Sequence, residues 1–163
     1  MALQSKMTVY AAIGGVFALM AGIVFFTSDN VDLDQVEIVL KSVELRETNS
    51  ENNQAKLDVI FLIKNPSDTT LTVSTIDYQL YGNGVLLGTG LYSTADIAMP
   101  GRAAVYSGTE VPLKNMFILS KSDINSEIYE DVINGKITSF SSEGRIITQT
   151  SWSESEKEFK TGY

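Results

Sequence analysis

The sequence predicts an all-β protein, an Ig-like β-sandwich of about six or seven strands with one short late helix, preceded by a single transmembrane helix. Two observations support this prediction. Residues 7–28 contain no charge and are almost wholly apolar, and from residue 36 onward apolar runs alternate with polar residues between turn signals. The expected organisation is a tail over 1–6, a membrane helix over 7–28, a linker over 29–35, a sandwich over 36–150 and a polar tail over 151–163.

The N-terminal apolar segment meets the length of a membrane-spanning helix. About 20 apolar residues cross roughly 30 Å of hydrocarbon, and Val9–Phe26 is almost unbroken. Lys6 precedes the segment, and Asp29, Asp32 and Asp34 follow it. Because positive charge stays on the cytoplasmic side, we expect a single-pass protein of the cell membrane, with its N-terminus in the cytoplasm and its domain outside.

Two alternatives to an uncleaved anchor are open. A cleaved signal peptide usually has an apolar core of about 7–15 residues and a small-x-small cleavage site. This run is longer, and residues 25–29 offer a poor site. A pilin-type leader would be cut next to a small residue, which Lys6-Met7 does not provide.

Three small residues of the apolar segment are candidates for helix packing. Gly14, Ala18 and Gly22 fall four apart and therefore share one helix face. Small residues at this spacing let two membrane helices approach closely. Gly and Ala are also common in membrane helices generally, so composition alone is the alternative explanation.

Composition and charge exclude several classes of function. Twenty Asp and Glu residues outweigh twelve Lys and Arg residues, and the formal net charge is −8. This balance repels phosphate backbones, so we expect no nucleic-acid partner. Cys and His are both absent, which excludes thiol nucleophiles, Ser-His pairs and the usual zinc sites. Asp29, Asp32 and Asp34 lack the glycine and terminal glutamate of a calcium loop, and we expect no catalytic residue, no metal and no cofactor.

Alternation of apolar and polar residues predicts five strands before the helix, over 37–46, 55–64, 71–81, 85–92 and 103–113. In the second, Ile60 and Leu62 oppose the alternating set, which favours a central strand covered on both faces. Asn65-Pro66 ends this strand because proline cannot continue a ladder. Asn83-Gly84 predicts a tight hairpin, and Pro112 marks a strand end or a sheet edge.

One helix is expected beyond the membrane segment, because Ile124, Ile128 and Val132 recur every four residues. Ser122 or Asp123 would cap its start, and Gly135 would end it.

The C-terminal part is expected to hold one or two more strands and a tail. Residues 136–140 and 145–150 suit strands, with a break near Glu143-Gly144. The tail from Ser151 is polar and charged, which favours loose order unless Trp152 and Phe159 fix it.

An ordered series of motifs gives the chain a family resemblance. An apolar strand ends in Asn65-Pro66, and Leu71–Val73, Ile76–Tyr81 and the turn and return Asn83–Gly90 follow it. Together with the helix and Gly135-Lys136-Ile137, this series resembles the WHy (water stress and hypersensitive response) domain of group-two late-embryogenesis-abundant proteins. The resemblance covers residues 36–150. One departure is that the Asn usual in the family after Asn-Pro-x is absent.

The resemblance implies a β-sandwich with a protective or binding role in desiccation or stress. It implies no catalytic residues, and anchored members with one N-terminal helix occur in the family. The matching motif positions, for which it implies structural roles, are Asn65, Pro66, Tyr78, Tyr81, Asn83, Gly84, Gly88 and Gly90.

Three features could be mistaken for functional sites or could contribute to one. Asn65-Pro66 is either a binding feature or, as we expect, a structural cap. Gly82-x-Gly84-x-x-x-Gly88 lies between strands and opens no helix, so we expect no nucleotide site. Tyr78, Tyr81 and Tyr92 either line a cleft or belong to a half-buried sheet face.

The leading functional hypothesis is a non-enzymatic, membrane-anchored domain that faces outward and binds or shields macromolecules. A second hypothesis is an accessory subunit of a larger membrane complex, in contact with other subunits through its helix and its sandwich. A third is a domain that binds a small solute or a lipid between its sheets, for which an apolar pocket of a few hundred Å³ is the expected sign.

Overall fold

The computed structural model describes residues 10, 13–20, 33–94, 103–149 and 154–163, without the side chain of Asp34. The chain divides into two units, Met1–Asn30 and Val31–Tyr163. In the first unit, residue 10 and residues 13–20 are helical and exposed. None of the helices within the described ranges has the length and apolar character that a membrane crossing requires. The predicted membrane helix over 7–28 lies mostly outside those ranges.

The described residues of the second unit include eight strands, a 3-10 turn at the start and an α-helix. In chain order they are η1 (Leu33–Gln35), β1 (Glu37–Asn49), β2 (Gln54–Asn65), β3 (Leu71–Gly82), β4 (Val85–Ser93), β5 (Ala104–Val105), β6 (Thr109–Ser120), α1 (Ser126–Ile133), β7 (Phe140–Gln149) and β8 (Glu154–Gly162).

The strands form two antiparallel sheets. Sheet A has the order β1-β2-β6, and sheet B has the order β4-β3-β7-β8, with β5 paired to β3. The predicted β-rich fold with one late helix is confirmed, although the described residues hold eight strands and not six or seven.

The inward faces of the two sheets form one core, because side chains alternate between the faces of each strand. Phe61 of β2 meets Tyr78 of β3 edge to face, with ring centroids 4.9 Å apart. Both side chains are buried, as are Leu57 and Ile63 of β2 and Ile76 of β3. Ile60 and Leu62 are half-buried on the outward face of β2. The prediction of a central strand is therefore right for its position in sheet A, but its outward face is only partly covered.

The hairpin between β3 and β4 is the predicted Asn-Gly turn. Asn83 and Gly84 have φ angles of 49° and 80°. Positive φ at both central residues is the type I′ geometry that matches strand twist.

The predicted strand over 103–113 is wrong as a single element. Residues 106–108 separate β5, which pairs with β3, from β6, which pairs with β2, so the chain crosses between the two sheets there. Pro112 lies within β6, an edge strand of sheet A, where a missing N–H can face away from the ladder.

The predicted break at Glu143-Gly144 is also absent, since β7 continues through both residues. A Cβ at Gly144 would collide with the Asp77 carbonyl oxygen of β3. Glycine here permits a close backbone approach within a continuous strand, and composition alone does not distinguish this from a break.

The helix start differs from the prediction by two to three residues. Asn125 is the N-cap and accepts a hydrogen bond from the Glu127 amide at 2.8 Å, whereas the expected caps, Ser122 and Asp123, lie before it. Gly135 follows the helix with φ 67°, as predicted for a C-terminal glycine.

The C-terminal segment is the largest departure from the sequence prediction. Glu154–Gly162 forms β8 and pairs with β7 along its whole length, although its composition favours a loose polar tail. Exposed and half-buried residues alternate along β8, because it is an edge strand with one wet face. The ring of Phe159 packs edge to face on Phe61, with centroids 5.8 Å apart. Trp152 lies outside the described residues.

Side chains of β8 also close the seam between sheets A and B. The Leu40 amide of β1 donates to Thr161 Oγ1 at 3.1 Å, and the Val43 amide donates to the Tyr163 hydroxyl at 2.8 Å. Lys157 Nζ donates to the carbonyls of Leu33 and Val36, at 2.8 Å each. The free edge of β1 is thereby bonded to the strand that composition marks as a tail.

We expect Phe159→Ala to lower the free energy of unfolding by about 2 kcal/mol, because it removes a partly buried ring from the core. Chemical denaturation of the full chain measures this, with the exposed Glu158→Ala as the matched control. A loss within about 0.5 kcal/mol for both variants, with early proteolysis after residue 153, would contradict the role assigned to β8.

Candidate functional site

The two sheets leave an apolar cleft at one end of the sandwich, beside the end of α1. Its volume is about 300 Å³. The walls come from β1, β2, α1 and the segment that leads into β7. The lining residues are Val43, Leu45, Leu57, Val132, Gly135, Ile137, Thr138, Phe140 and Tyr163.

The hairpin tip holds one wall of this cleft. Asn83 Oδ1 accepts hydrogen bonds from the amides of Thr138 and Ser139, at 3.1 and 3.2 Å. The Asn83 amide donates to the Ser139 carbonyl at 2.9 Å. The I′ turn fixes the backbone of Asn83 in its left-handed conformation. Through these hydrogen bonds Asn83 in turn fixes the position of Thr138 and Ser139 in the segment after α1.

A second wall comes from the pairing of Phe140 with Tyr163. Their backbones exchange two hydrogen bonds of 3.1 and 2.9 Å, and their ring centroids lie 6.1 Å apart. The Tyr163 hydroxyl accepts a hydrogen bond from the Val43 amide. The hydroxyl proton is therefore available for a hydrogen bond to a ligand.

The lining of the cleft contains no charged side chain among the described residues. The Thr138 hydroxyl is already bonded to Asn83 at 3.1 Å, which leaves the Tyr163 hydroxyl as the side-chain donor at this site. Apolar walls with one or two placed polar groups are typical of small-molecule sites. The cleft therefore suits a short, neutral, largely apolar molecule.

A wider concavity of about 850 Å³ lies on sheet B and is lined by residues of β3, β4, β7 and β8. Its charges are largely paired with one another. Lys160 Nζ lies 2.9 Å from Glu143 Oε2, and Arg145 lies 3.9 Å from Asp77. The Tyr81 hydroxyl donates to Glu143 Oε1 at 2.8 Å.

The hydrogen bond from Lys160 lowers the pKa of Glu143, with a smaller contribution from Tyr81. The bond to Glu143 in turn raises the pKa values of Tyr81 and Lys160. A general acid needs a carboxyl pKa that is raised towards neutrality, so the environment of Glu143 favours a fixed ion pair over proton transfer.

Asn65, the first of the family motif positions, is a structural hub. Its side chain is 1% exposed. Nδ2 donates to the carbonyls of Thr69 and Val105 at 2.8 and 3.0 Å, and Oδ1 accepts from the amide and hydroxyl of Ser67 at 3.2 and 2.6 Å. Pro66 follows at the corner between sheets A and B. With the side chain saturated internally, Asn65-Pro66 acts as the expected cap and leaves nothing for a ligand.

The three tyrosines considered as cleft residues have different roles. Tyr78 is in the core, where burial raises its pKa to about 12 and Asn115 Nδ2 donates to its hydroxyl at 2.9 Å. Tyr92 is also buried, and burial raises its pKa. Tyr81 faces outward on sheet B. None of the three lines the apolar cleft, although Tyr78 contributes to the wall of the wider concavity.

The motif glycines allow turns and close packing. A Cβ at Gly90 would overlap the Tyr78 ring, and Gly88 adopts φ 146° beside the irregular pairing of β3 with β4. Gly84 completes the hairpin turn. These glycines thus have conformational or packing reasons within the sandwich, and the segment from Gly82 to Gly88 joins two strands.

The helix-packing candidates of the first unit are only partly described. Gly14 and Ala18 are helical and exposed, and Gly22 lies outside the described residues. Their packing in a membrane stays a prediction. Of the possible metal ligands, Asp29 and Asp32 also lie outside the described ranges, within which no group of three or more carboxylates could hold an ion.

Sequence reasoning anticipated a cleft between the sheets but not its residues. Val132 belongs to the predicted helix stripe, and Phe140 to a predicted strand. Tyr163 belongs to the predicted tail. Only the topology, which pairs β8 with β7 and sets it beside β1, brings these residues together.

Comparison with known proteins supports the fold alone. No family model and no curated protein matches the chain. Among solved structures, the Arabidopsis thaliana protein AT1g01470 shares 12% identity over 78% of each chain, with a TM-score of 0.52. A protein from Archaeoglobus fulgidus matches 76% of this chain and 95% of its own, at 17% identity and a TM-score of 0.45.

A third solved structure, of a protein proposed to be late embryogenesis abundant, At2g46140.1, covers 98% of this chain and 90% of its own length. It shares 10% identity with a TM-score of 0.41. The similarity to the Arabidopsis thaliana protein AT1g01470 agrees with a β-sandwich fold.

We expect Asn65→Ala to lower the free energy of unfolding by about 2–4 kcal/mol, because it leaves several buried partners without a hydrogen bond. Chemical denaturation compares it with Asn52→Ala, a change at an exposed turn residue that should cost within about 0.5 kcal/mol. Equal stability of the two variants would show that Asn65 is not the corner hub.

Proposed function

We propose that this chain is a non-enzymatic WHy-like β-sandwich domain, anchored in the cell membrane by residues 7–28, that binds or shields other macromolecules on the outer side. The observation that carries the proposal is the placement of the motif residues. Asn65, Tyr78, Asn83 and Gly90 each occupy a corner, turn or close contact of the sandwich, which is what a shared fold would require of them.

The membrane part of the proposal rests on the first unit. Each described residue of this segment is exposed, including Phe17 at 69% and Tyr10 at 71%. An apolar helix with exposed aromatic side chains is stable when lipid, and not water, surrounds it. The single basic residue before the segment and the acidic residues after it favour an outward-facing domain.

The shielding part rests on the charged surface of the second unit. Ion pairs such as Glu143 with Lys160, and Asp58 with Lys114 at 2.6 Å, place charges of both signs on this surface. Together with the net charge of −8, such a surface keeps the domain soluble beside a client and limits self-association.

We expect the full-length chain to stay in the membrane fraction after carbonate extraction, and its second unit to be cleaved by protease added outside sealed cells. We also expect the full chain in lipid nanodiscs to reduce the aggregation of citrate synthase on heating or drying by at least about half at equimolar ratio. Light scattering measures that aggregation, and empty nanodiscs are the control.

Release by carbonate would contradict the anchor, and unchanged client aggregation would contradict shielding. A stable complex with other membrane proteins after mild extraction, without client protection, would favour the accessory-subunit hypothesis.

The apolar cleft favours a second candidate function, the binding of a small neutral apolar ligand. Its volume of about 300 Å³ is within the range of ligand sites. The Tyr163 hydroxyl at its wall can donate one hydrogen bond.

We expect 1-octanol to bind this cleft more tightly than octanoate, because no cation among the described lining residues offsets the cost of burying a carboxylate. Leu45→Trp should block the cleft and weaken octanol binding by about tenfold, whereas Val85→Trp, at an equally exposed position away from the cleft, should not. Chemical-shift titration measures both. Equal octanol binding by the two variants would place the ligand elsewhere.

A further inference from the structure

Strand β4 is an edge strand that lacks the usual side-chain guards. Its nine residues, Val85–Ser93, include no charge and no proline, whereas exposed edges normally carry such residues to prevent pairing. The facing strand β6 has both Pro112 and Lys114. The irregular pairing of β4 is confined to Leu86–Gly88, so Gly88–Ser93 is a regular edge.

The backbone N–H and C=O of Leu91 point away from β3, as two contacts indicate. The Leu91 carbonyl accepts a hydrogen bond from Asn115 Nδ2 of β6 at 3.1 Å. Leu91 pairs with Asp77 of β3. The Asp77 carbonyl faces β7, because a Cβ at Gly144 of β7 would collide with that carbonyl oxygen. Residues of an antiparallel strand point alternately towards and away from the neighbour, so the amides of Thr89 and Leu91 both face the open edge.

Exposed apolar side chains border this edge on both sides. Leu86 and Leu91 of β4 are exposed, as are Met116 and Ile118 of β6. A groove of about 250 Å³ runs between Leu86 and Ile118 over the Phe117 ring. Among the described residues that line the groove, Asp123 alone carries a charge.

We propose that the β4 edge binds an extended apolar segment of a partly unfolded polypeptide, with basic residues flanking that segment, by addition of one strand to sheet B. This inference rests on the proposed shielding role and gives it a site. The backbone amides of Thr89 and Leu91 supply the sequence-independent hydrogen bonds of β-augmentation, and the apolar border takes alternate side chains.

Charge distinguishes this occupant from a second copy of the chain. A copy carries the same net charge of −8 and would bring its own Asp123 to the contact. Its β4 also has no basic residue with which to meet that carboxylate. A client segment with a flanking Lys or Arg complements the charge of the Asp123 carboxylate.

Peptide binding to the full-length chain in phosphatidylcholine nanodiscs tests the proposal. The probes are two fluorescein-labelled peptides with the same Val-Thr-Val-Thr-Val centre, one flanked by lysines and the other by glutamates. Fluorescence anisotropy should show that the wild type binds the lysine-flanked peptide at least about tenfold more tightly.

Thr89→Pro removes one edge amide without changing the charge, and should weaken that binding by about tenfold or more. Leu91→Lys places a charged side chain on the strand edge, which opposes strand pairing, and should weaken binding of the lysine-flanked peptide to a similar extent. Tyr106→Lys, which makes the same charge change at an exposed residue outside the groove, should bind within about twofold of the wild type. Thermal unfolding confirms that each variant is folded, and Leu91→Lys replaces Thr89→Pro if the latter is not.

Unchanged binding by the folded edge variants would overturn the proposal, as would equal binding of both peptides. Concentration-dependent dimerisation that Leu91→Lys abolishes, without peptide binding, would assign the edge to a second copy instead. If the wild type protects citrate synthase but binds neither peptide, the edge site fails and the shielding role stands. If it does neither, both fail.

Discussion

The fold depends on how the two sheets are joined at their edges. A three-stranded and a five-stranded sheet share one core around Phe61 and Tyr78, and no strand pairing among the described residues connects the two sheets. On one side, Thr161 of β8 and the following Tyr163 accept hydrogen bonds from the amides of Leu40 and Val43. These bonds attach β1 to the C-terminal segment and fix the position of the cleft beside it.

The other seam is bridged by one side chain and is otherwise open among the described contacts. Asn115 joins β6 to β4 by donating to the Leu91 carbonyl, and to the Tyr78 hydroxyl in the core. The described contacts leave the amides of Thr89 and Leu91 open. One side of the sandwich is thus sealed and carries the cleft, and the other presents an uncharged strand edge. The proposed ligand site and the proposed client site are therefore physically separate.

Local sequence signals predicted those parts of the fold whose causes are local. The Asn83-Gly84 turn, the stop at Asn65-Pro66 and the helix end at Gly135 each depend on a few adjacent residues with restricted backbone geometry. The split of the strand over 103–113 depends on partners more than 30 residues away in the chain. The ordering of β8 depends on its pairing with β7 and on the contacts of Phe159 and Thr161 with sheet A. Gly144 is the clearest example. A glycine that breaks a strand and a glycine that permits close strand pairing cannot be distinguished from the sequence.

The candidate sites were less predictable than the fold for the same reason. The motif residues are recognisable in the sequence, but Asn65 and Tyr78 are buried and make hydrogen bonds within the sandwich. Tyr163 and Leu91 gain their proposed roles only from the seams. Amide hydrogen exchange of the full chain in nanodiscs, followed residue by residue, tests this account most directly. We expect the amides of Leu40 and Val43 to be strongly protected from exchange and those of Thr89 and Leu91 to exchange rapidly. Rapid exchange at the first pair, or strong protection at the second in the absence of a client, would contradict it.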